Sequence, residues 1–257
     1  MSNHNPNPKG SIRKPAVSGM FYPSEEKKLK EIVENLMNLA EGDTITNLHG
    51  IIVPHAGYIY SGRTACYAYK KLSKKFKKII ILGPNHAAYT DKAVIDDNDY
   101  WETPLGNVKI KRINDFEING FPHHKEHSIE VNVPFFQYLF GNDILLTPIV
   151  VGDIEENEIK VYAEKIISEL DDETLLVIST DLSHFHNLDA AKEIDSKTIE
   201  NIEELGDEIN ACGENPLKIL KEICKIKDWK INFIHYSTSA DATEDESRVV
   251  GYASFWF

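Results

Sequence analysis

The chain has 257 residues, 42% of them hydrophobic and 27% charged, the balance of a globular protein long enough to bury its own core. Its net charge of −13 argues against general affinity for nucleic acid or an anionic membrane surface. Its three cysteines, Cys66, Cys212 and Cys224, form no CxxC pair, and no apolar run approaches the ~20 residues of a membrane span, so a reducing, cytoplasmic setting is expected.

Residues 1–10 are polar and rich in Asn and Pro, and are expected to form a disordered tail ahead of a single α/β domain over residues 11–257. Leu29, Ile32, Val33, Leu36, Met37 and Ala40 follow an i, i+3, i+4 spacing that predicts an amphipathic helix stopping at Gly42. Ile51-Ile52-Val53 reads as a short strand broken by Pro54 and Gly57, and residues 61–72 as the next helix. The basic run from Lys70 to Lys78 closes that helix, where lysines suit its negative end, and reads as a solvated face. Ile79 to Leu82 predicts a buried strand ending at Gly83-Pro84, residues 93–113 shorter strands with turns, and Ser128 to Phe140 a helix. A strand at 144–151, a helix around 159–170 and a strand at 174–180 follow. Helices at 189–205 and 215–226 and strands near 229–237 and 248–256 finish the chain. Apolar strands alternating with amphipathic helices define an α/β fold with a mostly parallel sheet covered on both faces. The last two strands have no crossover helix between them, so an antiparallel pair is expected.

Three of the buried strands run into loops that bear a histidine: Pro54-His55-Ala56-Gly57, Gly83-Pro84-Asn85-His86 and Thr180-Asp181-Leu182-Ser183-His184. Open α/β sheets bind ligands outside the carboxyl ends of their strands. If the three strands are parallel neighbours, His55, His86 and His184 converge on one crevice, and neutral imidazole is the commonest protein metal ligand.

The segments GIIVPHAGYIYSGRTA (50–65), ILGPNHAAYT (81–90), EHSIEVNVPFFQYL (126–139), PIVVGD (148–153), STDLSHF (179–185) and ACGENPL (211–217) resemble the successive motifs of the Memo family, which includes AmmeMemoRadiSam system protein B. The resemblance runs from about Pro15 to Phe257. It implies a three-layer α/β/α architecture like that of class III extradiol dioxygenases, which are non-haem iron enzymes. It also implies a ligand set, because His55 and His86 match the family's metal-binding histidines and Cys212, in Ala-Cys-Gly, its cysteine ligand. His184 falls where the related dioxygenases hold an acid/base histidine, and Asp181 and His127 match further polar positions near the pocket. Those dioxygenases use a glutamate as third ligand. A two-histidine, one-carboxylate set suits iron(II), whereas a thiolate favours softer ions such as reduced copper or zinc; iron(II) or copper(I), with zinc as the other option, is the expected cofactor, and ring cleavage does not transfer with the fold.

The run His123-His124-Lys125-Glu126-His127 lacks HExxH spacing, and its first two histidines read as part of a polar loop. Glu130 is expected in a first helical turn, beside the helix dipole or hydrogen-bonded to a ligand histidine. Tyr58 and Tyr60 flank the His55 loop, to line a pocket or to pack as aromatics, and Cys66 and Cys224 read as small core residues. One reading of function is a dioxygenase-like, metal-dependent oxidoreductase acting on a small hydroxylated substrate, with His184 as general base and Asp181 orienting it. Another is a metal-binding or peptide-binding protein that uses an enzyme-like crevice without turnover. Prokaryotic relatives also connect the family with a radical-SAM protein and an AMMECR-type protein, the expected partners in a third reading, a modification pathway.

Overall fold

The computed structural model describes residues 9–73 and 75–257, so the expected tail, apart from Lys9 and Gly10, lies outside the described residues, as does Lys74 of the basic run. A two-residue strand β1 (Ile12–Arg13) leads to helix α1 (Glu26–Leu39), where Leu29, Val33 and Met37 are buried at four-residue intervals. Burying each such side chain is worth roughly 1.5–3 kcal/mol, which outweighs the absence of a side-chain cap at Glu25. Strand β2 (Gly50–Val53) is buried throughout and is followed by α2 (Tyr58–Tyr69). This helix begins three residues before the 61–72 pattern because Tyr58 is itself a core residue and Gly57 takes the cap position.

Strand β3 (Lys78–Pro84) leads to the shorter strands β4 (Ala93–Ile95), β5 (Tyr100–Thr103), β6 (Gly106–Ile110) and β7 (Glu117–Ile118). Between residues 128 and 140, one 3-10 turn (Glu130–Asn132) precedes α3 (Val133–Phe140), where a single helix was expected. Pro134 has no N–H to return to residue 130, and the turn before it closes through the shorter bond from the Asn132 amide to the Ile129 carbonyl, at 3.1 Å. Next come β8 (Leu145–Val151), α4 (Glu156–Ile167), β9 (Thr174–Ser179) and the short β10 (His184–His186). Helix α5 (Leu188–Glu203) is capped by Asn187, whose side chain accepts from the Ala190 amide at 3.0 Å. Helix α6 (Glu214–Lys227), β11 (Asn232–Thr238), the one-turn α7 (Ala240–Thr243) and β12 (Val249–Trp256) complete the chain.

The main sheet runs β1-β5-β6-β8-β3-β9-β2-β12-β10. From β6 to β2 every pairing is parallel, and the central strands β3, β9 and β2 are almost wholly apolar and buried because both faces are covered. Strand β12 closes antiparallel on β2, and β11 pairs antiparallel with β12, as the missing crossover helix predicts. Helices α1, α2 and α3 pack together over one face, and α4 and α6 over the other, with α6 on β3 and β9. The protein is therefore a three-layer mixed α/β fold around a mostly parallel sheet. No helix among the described residues is long and apolar enough to cross a membrane.

Candidate metal centre

Strand β9 lies between β2 and β3, all parallel, so the loops that leave these strands emerge side by side at one end of the sheet. Two glycines let further loops close on them. An added Cβ at Gly83 would stand 2.6 Å from Ser128 Oγ, and that close approach brings the 126–128 turn against the His86 loop, where Ser128 Oγ donates to the Pro84 carbonyl at 2.8 Å. At Gly213 an added Cβ would meet the Thr180 side chain at 2.6 Å, so only glycine lets the Cys212 loop seat on the end of β9.

The result is a group of three imidazoles, His55, His86 and His127, whose ligand atoms all lie within 4.8 Å of one another and could hold a metal ion. The hydrogen bonds around two of them fix which nitrogen is bare. Ser179 Oγ donates its single proton to the Ser128 carbonyl at 2.5 Å, so at 2.9 Å from His55 Nδ1 it must accept, which leaves His55 Nε2 without a proton. Near His86, Nδ1 lies 3.1 Å from Glu126 Oε1, a carboxylate that only accepts, so His86 Nε2 is likewise the free ligand atom. Burial pushes His55 well below the ordinary imidazole range, helped by His86 and His127 beside it. His127 is lowered by burial too, against the pull of Glu126. Both rings are held in the neutral form that binds metal.

Glu126 organises this cluster. Its buried carboxylate accepts from the amides of His86 (2.5 Å), Ala87 (3.1 Å), His127 (2.8 Å) and Ser128 (2.8 Å). Burial alone would raise its pKa, but the bonds from His86 and Ser128 outweigh that and hold it below the usual carboxylate range. Cys212 approaches through His55, with Sγ 3.3 Å from His55 Nε2. Burial and the neighbouring Asp181 carboxylate push the thiol up to about 12, while burial pushes Asp181 up to about 7. A cation in the cleft is the charge that would reverse both shifts. Asp181 Oδ1 accepts from the His55 amide at 2.8 Å, and burial lowers the pKa of half-buried His184.

Two cavities flank the group. One, of about 490 Å³, is lined by His127, Asp181 and His184 together with Phe21, Tyr60 and Tyr252. The other, of about 420 Å³, is lined by His86 and Cys212 together with Asn85, Tyr89, Thr90 and Asn215. The structure thus groups His55, His86 and His127, so His127 and not Cys212 completes the set of three; Cys212 lies outside that group against His55, with Asp181 and His184 in the wall of the larger cavity.

Glu130 opens the turn of the 3-10 helix and Tyr58 packs among aromatics, and neither lines the two cavities. Glu130 contacts no ligand histidine: its buried carboxylate pairs with Arg13 at 2.7 Å and accepts from the Ala16 and Val17 amides and the Tyr22 hydroxyl. Those four donors consume its acceptor capacity. Tyr58 is buried against Tyr22 and Phe135, its hydroxyl donating to the Val131 carbonyl, and Tyr60 lines the cleft in its place. His123 is a core residue, its Nε2 3.1 Å from the Val94 carbonyl. The residue that sequence reasoning missed is Glu126, and its only signal was a carboxylate directly preceding His127.

Fold and site together define a three-layer α/β protein with an imidazole-rich cleft at the carboxyl end of its parallel strands. A family model described as Memo-like protein matches residues 13–256. The chain is 36% identical to a MEMO1 family protein of Thermoplasma volcanium over 95% of this chain and 97% of that protein. It is 34% identical to MEMO1 family proteins of Nitrosopumilus maritimus and Aquifex aeolicus, in each case over 96% of this chain and 99% of the relative. The chain belongs to the Memo family.

Proposed function

We propose that this protein is a metal-dependent oxidoreductase that holds iron(II) or copper(I) through His55, His86 and Cys212, with His127 beside them, and acts on a small hydroxylated substrate. The His55–Cys212 pair fits such an ion, and His55, His86 and His127 form a group that could hold one. Two atoms bound to one tetrahedral ion at 2.0–2.3 Å stand roughly 3.5 Å apart, and Cys212 Sγ stands 3.3 Å from His55 Nε2. One thiol and two imidazoles with bare Nε2 atoms suit a borderline or soft ion better than calcium or magnesium. When bound, such an ion supplies the electron exchange with dioxygen that no side chain here provides.

One observation carries the oxidoreductase reading: a substrate-sized cavity opens on His127, Asp181 and His184 together. His184, kept neutral near pH 7 by burial, takes the substrate hydroxyl proton on a ring nitrogen. Asp181 holds the His55 loop through its amide, and Phe21 and Tyr60 restrict water. The test loads the parent and His184→Ala anaerobically with iron(II) or copper(I), confirms occupancy by elemental analysis, and measures oxygen uptake with a panel of small phenols. The expected result is retained metal with turnover lower by about 10²–10⁴-fold in the variant. A metal-loaded parent that turns over none of a broad panel would overturn the enzyme reading in favour of a binding protein.

A further inference from the structure

The larger cavity carries more information than its polar end. Besides His127, Asp181 and His184 it is lined by the apolar or aromatic side chains of Met20, Phe21, Tyr60, Val250 and Tyr252, and by two charged residues, Asp245 and Arg248. Asp245 is engaged locally, its carboxylate accepting from the Ser247 amide at 2.9 Å and the Ser247 hydroxyl at 2.7 Å. Arg248 has no such partner. Its guanidinium lies over the Phe185 ring, 5.0 Å from the centroid, and makes no ion pair with a carboxylate among the described residues.

That contact leaves the guanidinium N–H groups without a hydrogen-bond partner among the described residues, and a guanidinium receives a carboxylate through two parallel hydrogen bonds. Strand register brings this cation near the chemistry: Val250 on β12 is paired with His184 on β10, and Arg248 directly precedes β12 and lines the same cavity as His184. In a chain of net charge −13 the long-range field repels anions, so an unpaired cation at this position acts by contact. We propose that the cleft selects a small amphiphilic acid, its apolar or aromatic body against Phe21, Tyr60 and Tyr252 and its carboxylate on Arg248. The inference rests on reading this cleft as the substrate site and adds the charge that the site selects.

The test measures binding, in metal-loaded and in chelator-treated full-length protein, by isothermal titration calorimetry with 3-phenylpropionate, its neutral methyl ester and 3-phenylpropylamine. The acid should bind about 10-fold more tightly than the ester, the gain of one charge-assisted contact at a partly exposed site. In Arg248→Ala the acid should fall to the level of the ester, with ester binding unchanged, and Arg248→Lys should recover part of the gap. Because a carboxylate can itself ligate a metal, the outcome is decided in the chelator-treated protein, where Arg248 and not the ion must supply the gap, so a failed metal assignment leaves this result readable. Equal binding of acid and ester, a preference that survives Arg248→Ala, tighter binding of the amine through Asp245, or no binding of any of the three would overturn the proposal.

Discussion

Glu126 accepts hydrogen bonds from both turns that carry His86 and His127, so one buried charge sets the aim of two imidazoles. Glu126→Gln keeps the size but turns an NH₂ toward N–H donors. Metal affinity in a chelator competition should fall about 10–100-fold, with the circular dichroism spectrum preserved. The Cys212 thiol, pushed up to about 12, makes a second prediction with a definite sign. At pH 8.5 the thiol is protonated, while His55 and His127 are neutral and Asp181, at about 7, is ionised. Thiolate ligation must then release about one proton per ion, and affinity must rise by about tenfold per pH unit. Calorimetry in buffers of different ionisation enthalpy should show that release in the parent and its loss in Cys212→Ser; no release in the parent would exclude the thiolate. His55, His86 and His184 stood out in the sequence because each follows a buried strand. Glu126 did not, since its bond to the His86 amide spans 40 positions and follows no periodicity.

The segment from β1 to α1 is fastened to the turns before α3 by a buried ion pair. Arg13 pairs with Glu130 and also donates to the carbonyls of His123 and Glu126, while Glu130 collects the Ala16 and Val17 amides. This clasp holds the stretch that places Phe21 on His127, with ring centroids 4.8 Å apart. Glu130→Ala leaves Arg13 buried without its counter-charge and should cost about 3–5 kcal/mol in urea unfolding. The double variant Arg13→Met, Glu130→Leu should cost less, because no buried charge remains. An equal loss in both would mean that packing volume, not charge, sets the effect. Strand and helix identities were largely legible because apolar runs and i, i+4 faces are local signals. The broken 128–140 segment was not, because a proline also suits a helix's first turn, and only the fold shows that Pro134 parts a 3-10 turn from α3.

Alternating strands and helices showed that the sheet would be mostly parallel, but not that β9 would insert between β2 and β3. That order depends on how long crossovers pack against the sheet, which no window of sequence contains. It is nonetheless what gathers His55, His86 and Asp181 at one end of the sheet, with the Cys212 loop laid over the end of β9. This convergence is expected to hold one ion. X-ray absorption spectroscopy of the full chain, loaded anaerobically with iron(II) or copper(I), reads the coordination shell directly. Imidazole nitrogens are expected at about 2.0–2.1 Å and one sulfur at about 2.3 Å, with the sulfur shell lost in Cys212→Ser. A shell without sulfur in the parent, or one lacking the multiple scattering of imidazole, would contradict that coordination.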